Sequence, residues 1–466
     1  MTENEFLEQA RKVINPDISK RLPPKVREVL KNGNYVFDNH VHVFDKSSVN
    51  EGYFLLRSLA GIVNNIFLLA RVADRQSLFT VDFKSFKASY EPFRQQAIEN
   101  LYKKIENDEP LPSWDEIEKD FEAQEQFFEE NKLFTDFATQ KVTKSFFRFL
   151  LKVFFKTRKF ADIYDDFINR HALTVLDRFK GKELISTVLM MDFYDEWKKL
   201  VKKPLWDQID EFNALADQQA ILPFFAIDPR RADDSREKEN LYHLFLKAFD
   251  KSTSRFFGVK FYPALGYSPS DYRLDPIFKI CNEFSIPVVT HCGGEIVSTF
   301  RNKVTIFNNF DRNDSQVVPG TNRKERAYFL NDPERWSPVL AKYNNLRINL
   351  AHFGGSDAWM GNPQAMSRRV QTITDFMKIY PQVHSDFAFN LIDSDTFKNF
   401  VQTVSSNPLV ASRTMYGTDY WVVLFAGDLL REQKAFFDTL AQQGGTLIQS
   451  MTVAVPGQFY FGNSAV

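Results

Sequence analysis

His40 and His42 stand two residues apart in FDNHVHVFD (37–45), a stretch that otherwise has the apolar, β-branched character of a strand. Alternate side chains of a strand share a face, so both imidazoles point the same way. Other metal-capable side chains close similar short runs: His291 ends VVTH, His352 ends INLAH, and Asp419 falls near the end of MYGTDY. Lys260 lies late in GVKFY. Of the seven histidines, four occupy such positions, whereas His171, His243 and His384 do not. Three neutral imidazoles (His40, His42, His291) and one carboxylate (Asp419) suit an open catalytic zinc site, and His352 could complete the ring. An HxH alone is more often a packed pair; its repetition at several strand ends points to a metal site provided that all these ends meet.

The elements that would bring them together are eight short β-type runs: YVFDNHV (35–41), LISTVLMMDF (184–193), ILPFFAI (221–227), FFGVKFY (256–262), IPVVTH (286–291), LRINLAH (346–352), VHSDFAF (383–389) and TMYGTDY (414–420). From the second onward most gaps carry helical periodicity, as in WDQIDEFNALADQQ and QAMSRRVQTITDFMKI. Strands alternating with helices imply a parallel sheet, and eight such units imply an α/β chain folded as a (β/α)8 TIM barrel, whose C-terminal strand ends share one mouth. The expected organisation is an N-terminal helical extension (1–33), the barrel (34–45 and 182–466), and a large Phe-rich helical insertion or lid after the first strand (46–181). A second insertion, from about Glu295 to Tyr328, should project on the same side. Within the first insertion an acidic segment (101–131) precedes a basic one (141–159). Mutual packing of the two is the expected arrangement. The competing reading is a basic helix that binds a membrane surface or a partner, with the barrel as scaffold.

Composition narrows the function classes. With 59 basic and 60 acidic residues, there is no bulk charge to attract nucleic acid. Two cysteines, Cys281 and Cys292, form no disulfide framework, and the charged N-terminus lacks a signal-peptide core, so a cytoplasmic protein is expected. The longest apolar run, 53–70, is interrupted by Arg57, Asn64 and Asn65, which argues against a transmembrane segment.

The HxH of the first strand, the histidines ending the fifth and sixth and the aspartate ending the eighth resemble the amidohydrolase superfamily. VKFYPALGY, IPVVTHCGG, NLAHFGG and YGTDYW are similar to its amidohydrolase-related branch (amidohydrolase 2), which holds hydrolases, lactonases and nonoxidative decarboxylases. The resemblance spans 34–45 and roughly 183 to the C-terminus. It implies that His40, His42, His291 and Asp419 bind one divalent ion, Zn2+ or alternatively Mn2+, and that His352 is the catalytic histidine beside it. In binuclear members the lysine ending the fourth strand is carboxylated and bridges two ions. Lys260 is a candidate for that role, or for pairing with a substrate carboxylate or a neighbouring acid. The expected reaction is attack of activated water on an amide, ester or lactone carbonyl of a small, apolar or aromatic molecule, with Asp419 taking the proton and His352 stabilising the oxyanion. The alternative is decarboxylation of a small aromatic or unsaturated acid on the same ligands.

Further candidates are Asp38, which could orient a ligand from behind, Arg230 and Arg231, which could grip a substrate carboxylate, and Tyr262, Trp359 and Trp421, which could wall a pocket. Asp386 lies within the seventh run. Cys292 reads as buried and inert. A small-molecule substrate is the expected partner, and a homo-oligomer is compatible with everything above.

Overall fold

In the computed structural model of the chain, residues 1–43, 159–168, 178–193, 203–293, 298–299, 301, 303–359, 367–390, 394–420 and 429–462 are described. The barrel begins with β1 (Tyr35–His42), β2 (Glu183–Leu189), β3 (Ile221–Ile227), β4 (Gly258–Phe261) and β5 (Val288–His291). After a separate antiparallel hairpin of β6 (Thr305–Asn308) and β7 (Asp311–Val317), it continues with β8 (Ile348–Ala351), β9 (Val383–Asp386) and β10 (Thr414–Met415). The hydrogen-bonded order is β1-β2-β3-β4-β5-β8-β9-β10, and every barrel pair is parallel. Closure is made by the chain after β10. Asn39 N donates to Tyr416 O at 3.1 Å, Asp419 N to His40 O at 2.7 Å and His42 N to Tyr420 O at 3.3 Å, and Val41 bridges Tyr420 in parallel. The chain is a (β/α)8 barrel, with each of the eight expected runs supplying a strand.

Parallel strands covered on both faces read as continuous apolar runs, and ILPFFAI is buried along its whole length. The interior also dictates a glycine: a Cβ at Gly258 would lie 2.2 Å from the ring of Phe224, its partner across the β3–β4 ladder. The closed end is sealed by the helix Pro24–Asn32 and the C-terminal helix Val455–Phe461, whose Val26, Val29, Phe459 and Tyr460 join Phe37, Ile185, Leu222 and Phe224 in one cluster. The helix Glu3–Val13, started by a Thr2/Glu5 capping box, stacks Phe6 on Tyr242 at 4.7 Å.

Two features differ in detail from the sequence expectation. The last strand is shorter than TMYGTDY, because Asp38 takes the backbone N–H and hydroxyl of Thr418 (3.0 and 2.7 Å) and so diverts residues 416–420 from a regular ladder. The second insertion contains the β6–β7 hairpin, whose turn residues Asn309 and Phe310 both have positive φ (52° and 56°), as a two-residue type I′ turn requires.

The compact unit that holds the barrel comprises 1–44, 159–424 and 428–466. Of the insertion expected over 46–181, only 159–168 and 178–181 are among the described residues. The helix Phe160–Phe167 packs on the barrel, with Phe167 against Tyr420 (4.7 Å) and the Tyr164 hydroxyl donating to Ser186 at 3.0 Å. The acidic segment (101–131) and residues 141–158 of the basic one lie outside the described residues, as does Trp421. No helix among the described residues is long and apolar enough to cross a membrane.

Candidate metal centre

β1 delivers His40 and His42 to the C-terminal end of the barrel, beside a bulge in the β1–β2 ladder between Asp38 and Val41. Bulges of this kind re-aim side chains at barrel rims. His40 Nδ1 lies 3.0 Å from Asp386 Oδ2, and His42 Nδ1 lies 3.0 Å from Leu189 O. A carboxylate and a carbonyl only accept, so each imidazole keeps its proton on Nδ1 and presents a lone pair at Nε2. The two Nε2 atoms are 3.3 Å apart, and Asp419 Oδ1 sits 3.7 Å from the first and 3.4 Å from the second. Asp419 Oδ1 is buried and receives no hydrogen bond. Three acceptors therefore converge with no proton among them, an arrangement that is repulsive on its own and matched by a cation. The donor set fits a divalent metal ion.

His352 and Asp419 are held in unusual backbone conformations. His352 has φ 66° and Asp419 φ 55°. Left-handed conformations are uncommon for residues other than glycine, and each costs on the order of 1–3 kcal/mol that the surroundings must offset. For Asp419 the surroundings are the closure bonds to β1 and the grip of Asp38 on Thr418. For His352 they are the end of β9 and the residues that follow: Asp386 Oδ1 accepts its backbone N–H (3.0 Å), Ala388 O lies 3.2 Å from its Nδ1, and Asn390 Nδ2 donates to its carbonyl (2.6 Å).

The imidazoles form a row. Ring centroids are separated by 5.1 Å from His42 to His40, 4.6 Å from His40 to His352, and 4.4 Å from His352 to His291. His291 ends β5 and stacks on Tyr262 at 4.3 Å. Among the described residues, two groups place their ligand atoms all within 4.8 Å of one another: His40, His42 and Asp419, and His40, His352 and Asp386. The second is committed internally, because Asp386 already accepts four hydrogen bonds from His40, Asn349 and the N–H groups of His352 and Ala388. His291 joins neither group and stands at the far end of the row.

Electrostatics separate the two carboxylates. Burial pushes Asp419 up to about 6, with Asp386 adding and His40 and Lys260 opposing. Burial works the same way on Asp386, but His40, which hydrogen-bonds it, and the backbone N–H of His352 outweigh it and hold this carboxyl far below the ordinary range. Asp386 is a fixed negative charge held by its donors, whereas Asp419 Oδ1 has no hydrogen bond to hold its charge. Burial first, then His40, lowers His352 to about 3 and His42 well below its usual value, so both imidazoles stay neutral, as metal binding or proton acceptance requires.

The other expected residues separate into two sets. Lys260 lies at this end, with Nζ buried, without a hydrogen bond and 6.0 Å from the Tyr262 ring. Burial lowers it to about 8 against the pull of Asp386 and Asp419. Arg230 forks onto Asp228 (2.9 and 2.5 Å), and Arg231 joins Asp192 (2.5 and 2.9 Å) to Glu239 (2.5 Å). Arg231 is thus the hub of a buried ion-pair network. Trp359 is packed between Phe353, Phe387 and Phe400 and donates to Phe353 O. Cys292 is buried, and burial pushes its thiol up, which makes it inert. Sequence reading passed over Asp386 as a bracing residue. Its only signal was a carboxylate between Ser385 and Phe387 in a short β-type run.

A family model described as amidohydrolase matches residues 206–445, more than half of the chain. The match begins after the HxH, which barrel closure carries to Asp419. Among solved structures, the chain is similar to an amidohydrolase from Burkholderia multivorans with bound HEPES (12% identity, 62% of this chain and 88% of that one, TM-score 0.40). It is also similar to a probable 2-pyrone-4,6-dicarboxylic acid hydrolase from Acinetobacter baumannii with citric acid bound (10%, 64% and 88%, TM-score 0.36). A dihydroorotase from Campylobacter jejuni is a third (13%, 62% and 79%, TM-score 0.32). No curated protein matches.

Proposed function

Because this chain belongs to the amidohydrolase family, we propose that it is a metal-dependent hydrolase cleaving an amide, ester or lactone bond of a small molecule, with His40, His42, His291 and Asp419 holding one zinc ion. The observation that carries the reading is the convergence of His40 Nε2, His42 Nε2 and Asp419 Oδ1 within 3.3–3.7 Å, with both imidazole protons committed elsewhere. A divalent ion bound there supplies Lewis acidity and lowers the pKa of water from ~15.7 towards ~7. The protein's own part is proton handling and orientation. Asp419, whose Oδ1 is buried without a hydrogen bond, takes the proton of the attacking water. His352, held neutral with its Nδ1 3.2 Å from Ala388 O, keeps Nε2 as the atom that can pick up a proton and return it to the leaving group. Tyr262, stacked on His291, supports an apolar or aromatic substrate portion at the rim.

A second reading is nonoxidative decarboxylation on the same ligands. Lys260 favours it, since a buried ammonium without a hydrogen bond suits a substrate carboxylate. The same lysine, carboxylated, would instead bridge two metal ions.

The test is metal content by mass spectrometry of the purified protein beside a His291→Ala variant, followed by turnover of ester, lactone and aromatic-acid panels. About one transition metal per chain, lost in the variant, supports the mononuclear reading. Two per chain would assign Lys260 to a carboxylated bridge. No metal after reconstitution with zinc or manganese would refute the metal-dependent mechanism.

A further inference from the structure

We propose that Asp386 is a positioning residue that sets the tautomer of the ligand His40 and the placement of His352 through one carboxylate; the inference rests on the metal reading above. Its two oxygens divide the work. Oδ2 accepts from His40 Nδ1 (3.0 Å) and Asn349 Nδ2 (2.7 Å), and Oδ1 accepts from the backbone N–H of His352 (3.0 Å) and of Ala388 (3.1 Å). Four donors on one fully buried side chain leave it no capacity as a ligand. What it does instead is keep the His40 proton on Nδ1, so that Nε2 faces His42 and Asp419 as a lone pair.

The same carboxylate reaches the other half of the centre. His352 has a left-handed backbone, and its N–H is held by Asp386, its ring by Ala388 and its carbonyl by Asn390. Residues 386–390 therefore clasp His352 through its N–H, ring and carbonyl, and Asp386 also hydrogen-bonds His40. The centroids of the two rings are 4.6 Å apart, so a shift of the carboxylate displaces both.

Asp386→Asn isolates the effect on the tautomer. An asparagine can keep its carbonyl on the two backbone N–H groups, and the Asn349 amide, whose Oδ1 has no hydrogen bond, can turn to accept from the new NH2. His40 Nδ1 then meets a donor, so its proton moves to Nε2 and blocks the lone pair the metal needs.

The experiment compares wild type, Asp386→Asn and Asn349→Ala after loading with Co2+, reading visible absorption, affinity against a competing chelator, and thermal melting. The expected result is a folded Asp386→Asn protein that binds cobalt about 10–100-fold more weakly with an altered spectrum. Asn349→Ala, which leaves the His40 contact in place, should stay within a few-fold of wild type. Wild-type affinity and spectrum in Asp386→Asn would overturn the inference, and a wild type that binds no cobalt would overturn the metal reading beneath it. If Asp386→Asn does not fold, imidazole 15N shifts of the zinc-loaded wild type decide: Nδ1–H at His40 supports the assignment, and Nε2–H refutes it.

Discussion

Replacing Gly417 by alanine should damage the metal centre from outside it. An ideal Cβ at this position would lie 2.8 Å from His40 Cβ and 3.2 Å from both Ala388 Cβ and His40 N. Carbon atoms in ordinary contact are about 3.5–4.0 Å apart, so the methyl would overlap His40 by roughly 1 Å. Neither Cβ nor N can be moved by turning a side chain, so β1 or residues 416–420 must shift. Overpacking of this kind costs about 1–3 kcal/mol. The shift would fall where Asp419 N bonds His40 O at 2.7 Å, which positions the carboxylate against the imidazoles. A displacement of about 1 Å there is enough to lower activity on the order of 100-fold. Gly457→Ala is the matched control. It lies in the helix Val455–Phe461, its Cβ would meet nothing within 4 Å, and alanine should stabilise the helix by about 0.5–1 kcal/mol. Urea unfolding midpoints and cobalt affinity of the two variants should move in opposite directions for stability and only in Gly417→Ala for metal. A Gly417→Ala protein with wild-type midpoint and affinity would refute the close-packing argument.

Other substitutions test the surrounding electrostatics. His384 is buried against Phe459, and burial lowers its pKa to about 3 from 6.5. The unfolded chain then binds the extra proton between those values. Stability in the metal-free protein should be full above pH 6.5, fall as pH drops through the window by up to roughly 1.4 kcal/mol per unit for this group, and flatten below 3. His384→Gln should make the acid limb of the urea-midpoint profile shallower, and an unchanged slope would count against the assignment. Arg231→Ala removes the guanidinium from the buried Asp192 carboxylate and from half-buried Glu239 and should cost about 3–5 kcal/mol in urea unfolding. A loss of substrate affinity at unchanged stability would instead make Arg231 a substrate contact. Stripping the metal with a chelator should lower the melting temperature, and re-addition at ~100 times the dissociation constant should restore about 2.7 kcal/mol. A melting temperature indifferent to metal would mean that the ion does not bind the native state.

Much of this protein was legible in its residues. The eight β-type runs and the helices between them determine a parallel barrel, because apolar strands with helical returns have few other ways to bury both faces. The HxH, the histidines of VVTH and INLAH and the aspartate of YGTDY mark its mouth, since a strand's last polar residue emerges where the strands converge. Tertiary structure alone decided the rest. That Asp386 braces His40 and His352 depends on hydrogen bonds spanning 346 and 34 residues, which no local pattern encodes. That Arg231 is an internal ion-pair hub depends on Asp192 arriving from the segment that follows β2. The left-handed backbones of His352 and Asp419 are likewise imposed from outside, by Asp38, Asp386 and Asn390. Periodicity records which face a residue occupies, whereas the partners that hold its proton and bend its backbone come from strands brought together only when the barrel closes.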